Sequence, residues 1–356
     1  MIVYVLYGGQ SPEHEVSLKT AATVLKALDT RKHEVYPIYI SRDGRWTGLG
    51  RMPEEGLTAD KLTPASRHAD AASSLGEVLK NEFSRPGEKV ALPLLHGANG
   101  EDGTVQGLLE LLDIPYVGNG VLSAAMTLDK DVTHRLAGLA GIRQTAYEVV
   151  TRRQWNEDRP GVLRRLEERD LLPGYVKPAT LGSSIGISRC EDRAALEAGI
   201  EEALRYDVKL VVEREVPGRE IQVAVMGNDR PQASLPGEFL HGVKFFDFRA
   251  KYADPTLRMS IPAEIPPAAA EEIRESAIRA YEALCCSGLA RVDFFLGEDG
   301  LIYLNEINAL PGFTGTSMYP VMWERTDGTS YASLIEKLMD YALERSRAQA
   351  SVGGVR

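Results

Sequence analysis

The sequence predicts a protein of α/β and α+β class: a parallel-sheet α/β domain at the N-terminus, then two regions of mixed strands and helices. Three observations carry this expectation. Over the first 125 residues, short apolar runs alternate with helix-spaced segments, the pattern of βαβ units around a parallel sheet. Beyond that point apolar runs meet across short turns, as in antiparallel hairpins. The chain also has 356 residues, and roughly 100–200 make one domain, so two or three are expected. The expected boundaries are 1–125, 126–212 and 213–348, with 349–356 a disordered tail.

Residues 2–7 form an apolar run that ends at Gly8-Gly9 and reads as a buried strand. Helical spacing follows over 16–28, then a strand near 34–40 and a third buried strand over 90–95, ending at His96-Gly97. Residues 104–112 read as a helix and 114–117 as a short strand. Loops 8–15 and 96–103 therefore leave the C-terminal ends of strands, where parallel sheets bind ligands. In the second region a helix over 129–139 precedes strands at 147–150 and 174–177. The small-residue turn 182–186, with strand over 185–188 behind it, reads as a hairpin; a helix over 193–206 and a strand over 208–212 follow. The third region holds strands near 221–226, 292–296 and 302–308, and helices over 268–284 and 333–348.

Composition narrows the function. With 41 Lys+Arg against 51 Asp+Glu the net charge is −10, which argues against nucleic acid as a partner. The hydrophobic share of 44% is that of a globular chain able to bury cores, not of a disordered one. Cys190, Cys285 and Cys286 lack metal-ligand spacing and read as reduced thiols, and no run approaches the ~20 apolar residues of a membrane span. The expected location is the cytoplasm.

Several motifs are absent. No G-x-x-x-x-G-K-[ST] occurs, Gly118-Asn119-Gly120 lacks the third glycine of a dinucleotide fingerprint, and no H-E-x-x-H is present. Residues 182–186 do satisfy G-x-S-x-G at Ser184. A hydrolase nucleophile on that motif needs a helix directly after it, yet helical spacing resumes only near 192. A small-residue loop whose N–H groups and hydroxyls approach phosphate fits better. A serine hydrolase using Ser184 stays as a rival reading.

The most informative stretch runs from Arg291 to Asn308, two apolar runs around a four-residue turn at 297–300. Pairing Leu296 with Leu301 sets Asp293 opposite Leu304 and Arg291 opposite Glu306. Alternation then puts Arg291, Asp293, Glu306 and Asn308 on one face. Such a set is costly between apolar residues unless something charged completes it. Two readings stand: a buried Arg–Glu pair with a solvated Asp, or an oxygen-ligand site for Mg²⁺ and substrate phosphates, with Arg291 free to meet developing negative charge. The Gly/Ser/Thr loop 309–318 follows directly and suits backbone donation to an anion. Lys177 lies between Val176 and Pro178 in an apolar strand and needs an anion, whereas Lys130 and Lys251 taken singly read as surface residues. Glu213 and Glu220 either hydrogen-bond a nucleotide or end strands in solvent.

Five motifs together resemble the D-alanine–D-alanine ligases of the ATP-grasp superfamily: residues 7–17 (Tyr7-Gly-Gly-Gln-Ser-Pro-Glu-His-Glu-Val-Ser17), 96–103 (His96-Gly-Ala-Asn-Gly-Glu-Asp-Gly103), Gly182-Ser-Ser184, Arg291-Val-Asp293, and 305–314 (Asn305-Glu-Ile-Asn-Ala-Leu-Pro-Gly-Phe-Thr314). The resemblance implies an N-terminal α/β substrate-binding domain and a two-domain ATP-grasp module, with ATP between the antiparallel sheets of the latter. It implies that ATP phosphorylates the carboxylate of one D-alanine and that the amine of a second attacks the acyl phosphate, supplying a peptidoglycan precursor. It assigns Lys130, Lys177 and Lys251 to ATP phosphates, Glu213 and Glu220 to adenine and ribose, and Asp293, Glu306 and Asn308 to two Mg²⁺ ions, for which Mn²⁺ substitutes. Arg291 and the Gly312 N–H form the oxyanion hole. Glu15 takes the first ammonium, with His96 close by, and Ser317 and Met318 hold the second substrate. Ser183 and Tyr252 bond with Glu15 beneath a lid that starts at 245. Phe246 and Phe248 stand where many relatives carry Tyr, while Tyr252 favours a peptide product over an ester. A homodimer is implied as well. The rivals within the class are D-alanyl-D-lactate and D-alanyl-D-serine ligases; outside it stands a catalytically silent nucleotide-binding regulator.

Overall fold

A computed structural model describes residues 1–240 and 258–351. The first apolar run becomes β1 (Ile2–Gly8), buried along its whole length because it is central in a sheet. It runs parallel to β2 (Glu34–Ile40) and, on the other side, to β4 (Lys89–Pro93); β3 (Trp46–Gly48) adds an antiparallel edge to β2. Where β1 ends, Gly8 has φ +95°, and a Cβ there would lie 2.1 Å from the Ile40 carbonyl oxygen. Only glycine lets the chain turn into the 9–13 loop this close to β2. The strand expected at 114–117 is absent. One bridge, Ala91 to Tyr116, is all that forms, and Pro115 has no N–H with which to extend it.

The second region is an antiparallel sheet in the order β5-β8-β6-β7, from β5 (Tyr147–Thr151), β6 (Gly174–Pro178), β7 (Ser188–Cys190) and β8 (Lys209–Arg214). β6 and β7 form the expected hairpin, although the strand after its loop begins only at Ser188 rather than 185. Helices Arg152–Glu157 and Arg159–Glu168, not foreseen from the sequence, cover this sheet.

The third region is built on β9 (Gly218–Gly227), β10 (Gln232–Ala233), β13 (Gly288–Gly297) and β14 (Ile302–Asn308), ordered β10-β9-β13-β14, with β11 (Glu238–Leu240) and β12 (Arg258–Ser260) paired beside it. The helix Pro267–Ala283 packs Ile273, Ala277 and Tyr281 onto one face of the larger sheet, against Val223, Val292 and Leu304. The opposite face carries the polar residues of the site.

Packing does not follow the chain order. Trp323, Leu334, Ile335, Leu338 and Ala342 from the last two helices share one core with Val3, Val5 and Tyr7 of β1. Asn119 stitches the same junction: its amide donates to the carbonyls of Leu289 (2.7 Å) and Ala309 (2.9 Å) and accepts from the Ser287 N–H (2.9 Å). The first and third regions thus meet through a dry core, which fixes their loops relative to each other.

Candidate active site

The β13–β14 ribbon has a different register from the one expected. Leu296 pairs with Ile302, not Leu301, and Phe294 with Leu304; a bulge at Asn305 then sets Asp293 opposite Glu306 and Arg291 opposite Asn308. The extra residue corrects the parity, so Arg291, Asp293, Glu306 and Asn308 do share one face. The bulge also turns Asn305 toward the site, where its Oδ1 accepts from Lys177 Nζ at 3.2 Å. That contact is not legible in the sequence, because alternation alone cannot reveal an inserted residue.

Arg291 is not free. Its Nε and Nη2 donate to both oxygens of Asp293, at 2.8 and 2.7 Å. Burial pushes Asp293 up to about 6; Arg291 opposes this, and the charges of Glu306 and Glu220 add to it. The Asn308 amide donates to Asp293 Oδ2 (3.1 Å) and Glu306 Oε1 (3.4 Å). A fully buried carboxylate (Asp293) and a half-buried one (Glu306), held against their own repulsion with an amide between them, fit a hard divalent cation that takes one or two carboxylates and completes its shell with phosphate oxygens and water. Among the described residues no group of three or more His, Cys, Asp or Glu converges.

Lys177, 8% exposed, donates to Glu213 Oε2 at 2.7 Å, and His134 Nε2 lies 3.0 Å from Glu213 Oε1. Desolvation pushes Glu213 up, but Lys177 and His134 outweigh it and hold the carboxyl down at about 2. A group lowered in the folded state stabilises above its unfolded value and loses that contribution as pH falls toward the folded one. The stability gap between the parent and Glu213→Gln is therefore expected to be widest at about pH 7 and to shrink once pH drops below about 4.5, as read from urea midpoints. Burial lowers Lys130, partly countered by Glu306, and its Nζ donates to the Leu181 carbonyl at 2.6 Å. Glu220 accepts from Gln222 Nε2 at 3.1 Å, and Gln222 sits beside Asp293 across the β9–β13 ladder.

The N-terminal loops close the site. Ser183 Oγ donates to Glu13, 170 residues away, so the acid facing the Gly-Ser-Ser loop is Glu13 and not Glu15. Glu15 points outward, its side chain 66% exposed and paired with Arg42 at 2.7 Å. His96 is buried beside Glu101, its Nδ1 3.7 Å from the carboxylate; burial lowers its pKa, but Glu101 and Glu13 reverse that into a net rise. A cleft lined by Glu101, Lys130, Leu181, Glu306, Asn308 and Ala309 joins all three regions.

Ser317 stands just before the helix Met318–Asp327 without capping it through its side chain, and its Oγ accepts from the Thr314 N–H at 3.0 Å. Gly312 lies against it: a Cβ there would sit 3.4 Å from Ser317 Oγ. The Met318 side chain is buried in the N-terminal core, so only its backbone is available to a ligand. Lys251, Tyr252 and the expected lid residues 245–252 lie outside the described residues.

Ser183 and Ser184 have φ of +55° and +59°, a region L-residues rarely adopt. The chain then enters β7, not a helix, so the nucleophile elbow needed by a hydrolase is missing. Ser184→Ala is expected to melt within about 2 °C of the parent, and a fluorophosphonate probe to leave both proteins unlabelled.

Comparison with known proteins fits this geometry. The family model described as D-ala D-ala ligase N-terminus matches residues 2–119, and that described as D-ala D-ala ligase C-terminus matches 136–340. A D-alanine–D-alanine ligase of Bacillus cytotoxicus is 45% identical over 352 residues, covering 98% of this chain and 97% of its own. The chain belongs to the D-alanine–D-alanine ligase family. As a member it is an ATP-dependent ligase with the ATP-grasp type of fold. Among solved structures, the VanG D-Ala:D-Ser ligase of Enterococcus faecalis superposes with a TM-score of 0.80 at 33% identity, covering 96% of this chain and 99% of that one. The Bacillus anthracis D-alanine–D-alanine ligase complexed with ATP gives 0.74 at 25%, covering 98% and 99%. No described helix is long and apolar enough to cross a membrane.

Proposed function

We propose that this ligase joins two D-alanine molecules to D-alanyl-D-alanine through a D-alanyl phosphate, for peptidoglycan precursor synthesis in the cytoplasm, as a homodimer. One observation supports it above others: the bond between Ser183 and Glu13, which brings an N-terminal acid onto the loop whose Leu181 carbonyl accepts from Lys130. A carboxylate is a poor electrophile, and transfer of the ATP γ-phosphoryl group to its oxygen supplies a leaving group. Lys130 and Lys177 hold the phosphates, and Glu213 and Glu220 the adenosine. Such transfer needs positioning and charge neutralisation more than covalent help from the protein. Asp293, Glu306 and Asn308 would hold two Mg²⁺ ions, or Mn²⁺ in their place, which when bound neutralise charge on the phosphates.

Glu13 fixes the ammonium of the first D-alanine, with His96 beside it. The Ser317 hydroxyl and the Met318 N–H, at a helix N-terminus, receive the second substrate's carboxylate. The second amine attacks the acyl carbon and its C–N bond forms. The negative charge that develops on the former carbonyl oxygen meets Arg291 and the Gly312 N–H. The C–O bond to phosphate then breaks, and phosphate leaves with the proton that the amine gives up, with ADP left from the first step. Lys251 at the γ-phosphate and Tyr252 beneath the lid complete the expected set.

The test is incubation with ATP and D-alanine alone, or D-alanine with D-lactate or D-serine, with products identified by mass. The expected product is D-alanyl-D-alanine with equimolar ADP and phosphate. Predominant ester or D-seryl product would overturn the substrate assignment. Glu306→Gln is expected to cut turnover by at least about a hundredfold, with nucleotide still bound by titration calorimetry but its dependence on Mg²⁺ weakened.

A further inference from the structure

We infer that His134 is a positioning residue for ATP: held as an imidazolium against Glu213, it leaves the positive charge of Lys177 uncancelled and directed at the nucleotide. The inference rests on the reading that Lys177 meets ATP.

The ring is 2% exposed, and each of its nitrogens faces an oxygen. Nδ1 bonds with Gln144 Oε1, and Nε2 lies 3.0 Å from Glu213 Oε1. The Gln144 amide cannot be turned round to change this, because its Nε2 donates to the backbone carbonyl of His134 itself at 2.7 Å. Reversing it would set two oxygens against each other. A neutral imidazole has one donor and one acceptor; only the doubly protonated ring donates to both of its partners. The ring also stacks on Tyr147, with centroids 4.3 Å apart and planes at 17°, so it has no room to swing toward solvent. The charged and titratable groups around it are Glu213 and, behind it, Lys177 from neighbouring strands, the neutral phenol of Tyr147 on β5, and Asp131 and Arg135 on its own helix.

The consequence is a charge count. One buried carboxylate facing one ammonium would cancel, and Lys177 would have little left for a ligand. With His134 on the other carboxylate oxygen, Glu213 is shared between two cations and the group keeps an excess positive charge. Lys130, half-buried nearby, adds to it. An unpaired buried charge is unfavourable until an anion completes it, and the polyphosphate of ATP is such an anion. The same grip fixes the Glu213 carboxylate, so that Lys177 is aimed between it and Asn305 on the bulge. His134 touches neither substrate in this scheme; it acts through Glu213.

The test starts with the unaltered protein. With ¹⁵N-labelled histidine, one ring at neutral pH is expected to show both nitrogens protonated, and that signal is expected to vanish in His134→Gln. A neutral tautomer for His134 overturns the inference. In kinetics, His134→Gln keeps a donor to Glu213 but no charge. It is expected to raise KM for ATP about tenfold, with kcat and KM for D-alanine within about twofold, and His134→Lys to recover most of the loss. A packing role alone would lower Tm in both variants and leave KM in place. Lys177→Met separates the two readings. If it raises KM for ATP while His134→Gln does not, the inference about His134 falls alone; if neither does, the assignment of Lys177 falls with it.

Discussion

Arg291→Met is expected to lower turnover by about a thousandfold and to destabilise the protein, and the two effects have separable causes. The turnover loss follows from removing a donor aimed at charge that develops only during reaction, which costs on the order of 3–4 kcal/mol. The stability loss follows from Asp293, fully buried and bonded through both oxygens to the guanidinium. Breaking such a pair by removing one partner costs on the order of 3–5 kcal/mol, because an uncompensated charge stays behind. Asp293 can escape part of that by binding a proton, since burial already raises it to about 6 with Arg291 in place. A carboxyl raised in the folded state contributes its stability below the unfolded value and loses it as pH rises through the folded one. The deficit of Arg291→Met is thus expected to grow as pH rises through about 6 in urea titrations. Adding Asp293→Asn is expected to recover most of the stability and none of the turnover. If Arg291→Met retains turnover within about tenfold, Arg291 is not the anion stabiliser.

The same pair shows what the sequence could and could not convey. Period-two alternation put four polar residues on one face of the final ribbon, and they are there. It could not convey that the ribbon reaches that face by a one-residue offset and a bulge, because Ile302-Tyr-Leu-Asn-Glu-Ile-Asn308 reads as regular strand either way. Arg291 is neither free nor paired with Glu306, the two readings the sequence left open; two residues apart on one strand, it and Asp293 lie on the same side and close enough to pair. The parallel sheet was legible because buried central strands are long apolar runs, whereas residues 114–117 have that composition but lack an amide at Pro115. The shared core between the first region and the last two helices was not legible at all, since helical spacing says that a face is buried and not against what.

The second large effect concerns two glutamates in Ser11-Pro-Glu-His-Glu15. Both stand at the start of one helix, and composition cannot choose between them. Geometry can: successive helical residues turn by about 100°, so two residues apart they face nearly opposite ways. His14 opens the helix and Glu13 directly precedes it; Glu13 is 8% exposed and receives the Ser183 hydroxyl, while Glu15 reaches out to Arg42. Glu13→Gln keeps the shape and removes the charge that would hold an ammonium. It is expected to lower kcat/KM for D-alanine by at least about a hundredfold, mainly through the first substrate's KM, because a charge-assisted bond and its positioning are lost together. Ser183→Ala, which removes one donor from the acid without discharging it, is expected to cost less. Glu15→Gln is expected to stay within about twofold, since an exposed pair is worth at most about 1 kcal/mol. The reverse order, with Glu15 sensitive and Glu13 tolerant, would show that the helix start rotates by half a turn when substrate binds and that the Ser183 contact belongs only to the empty enzyme.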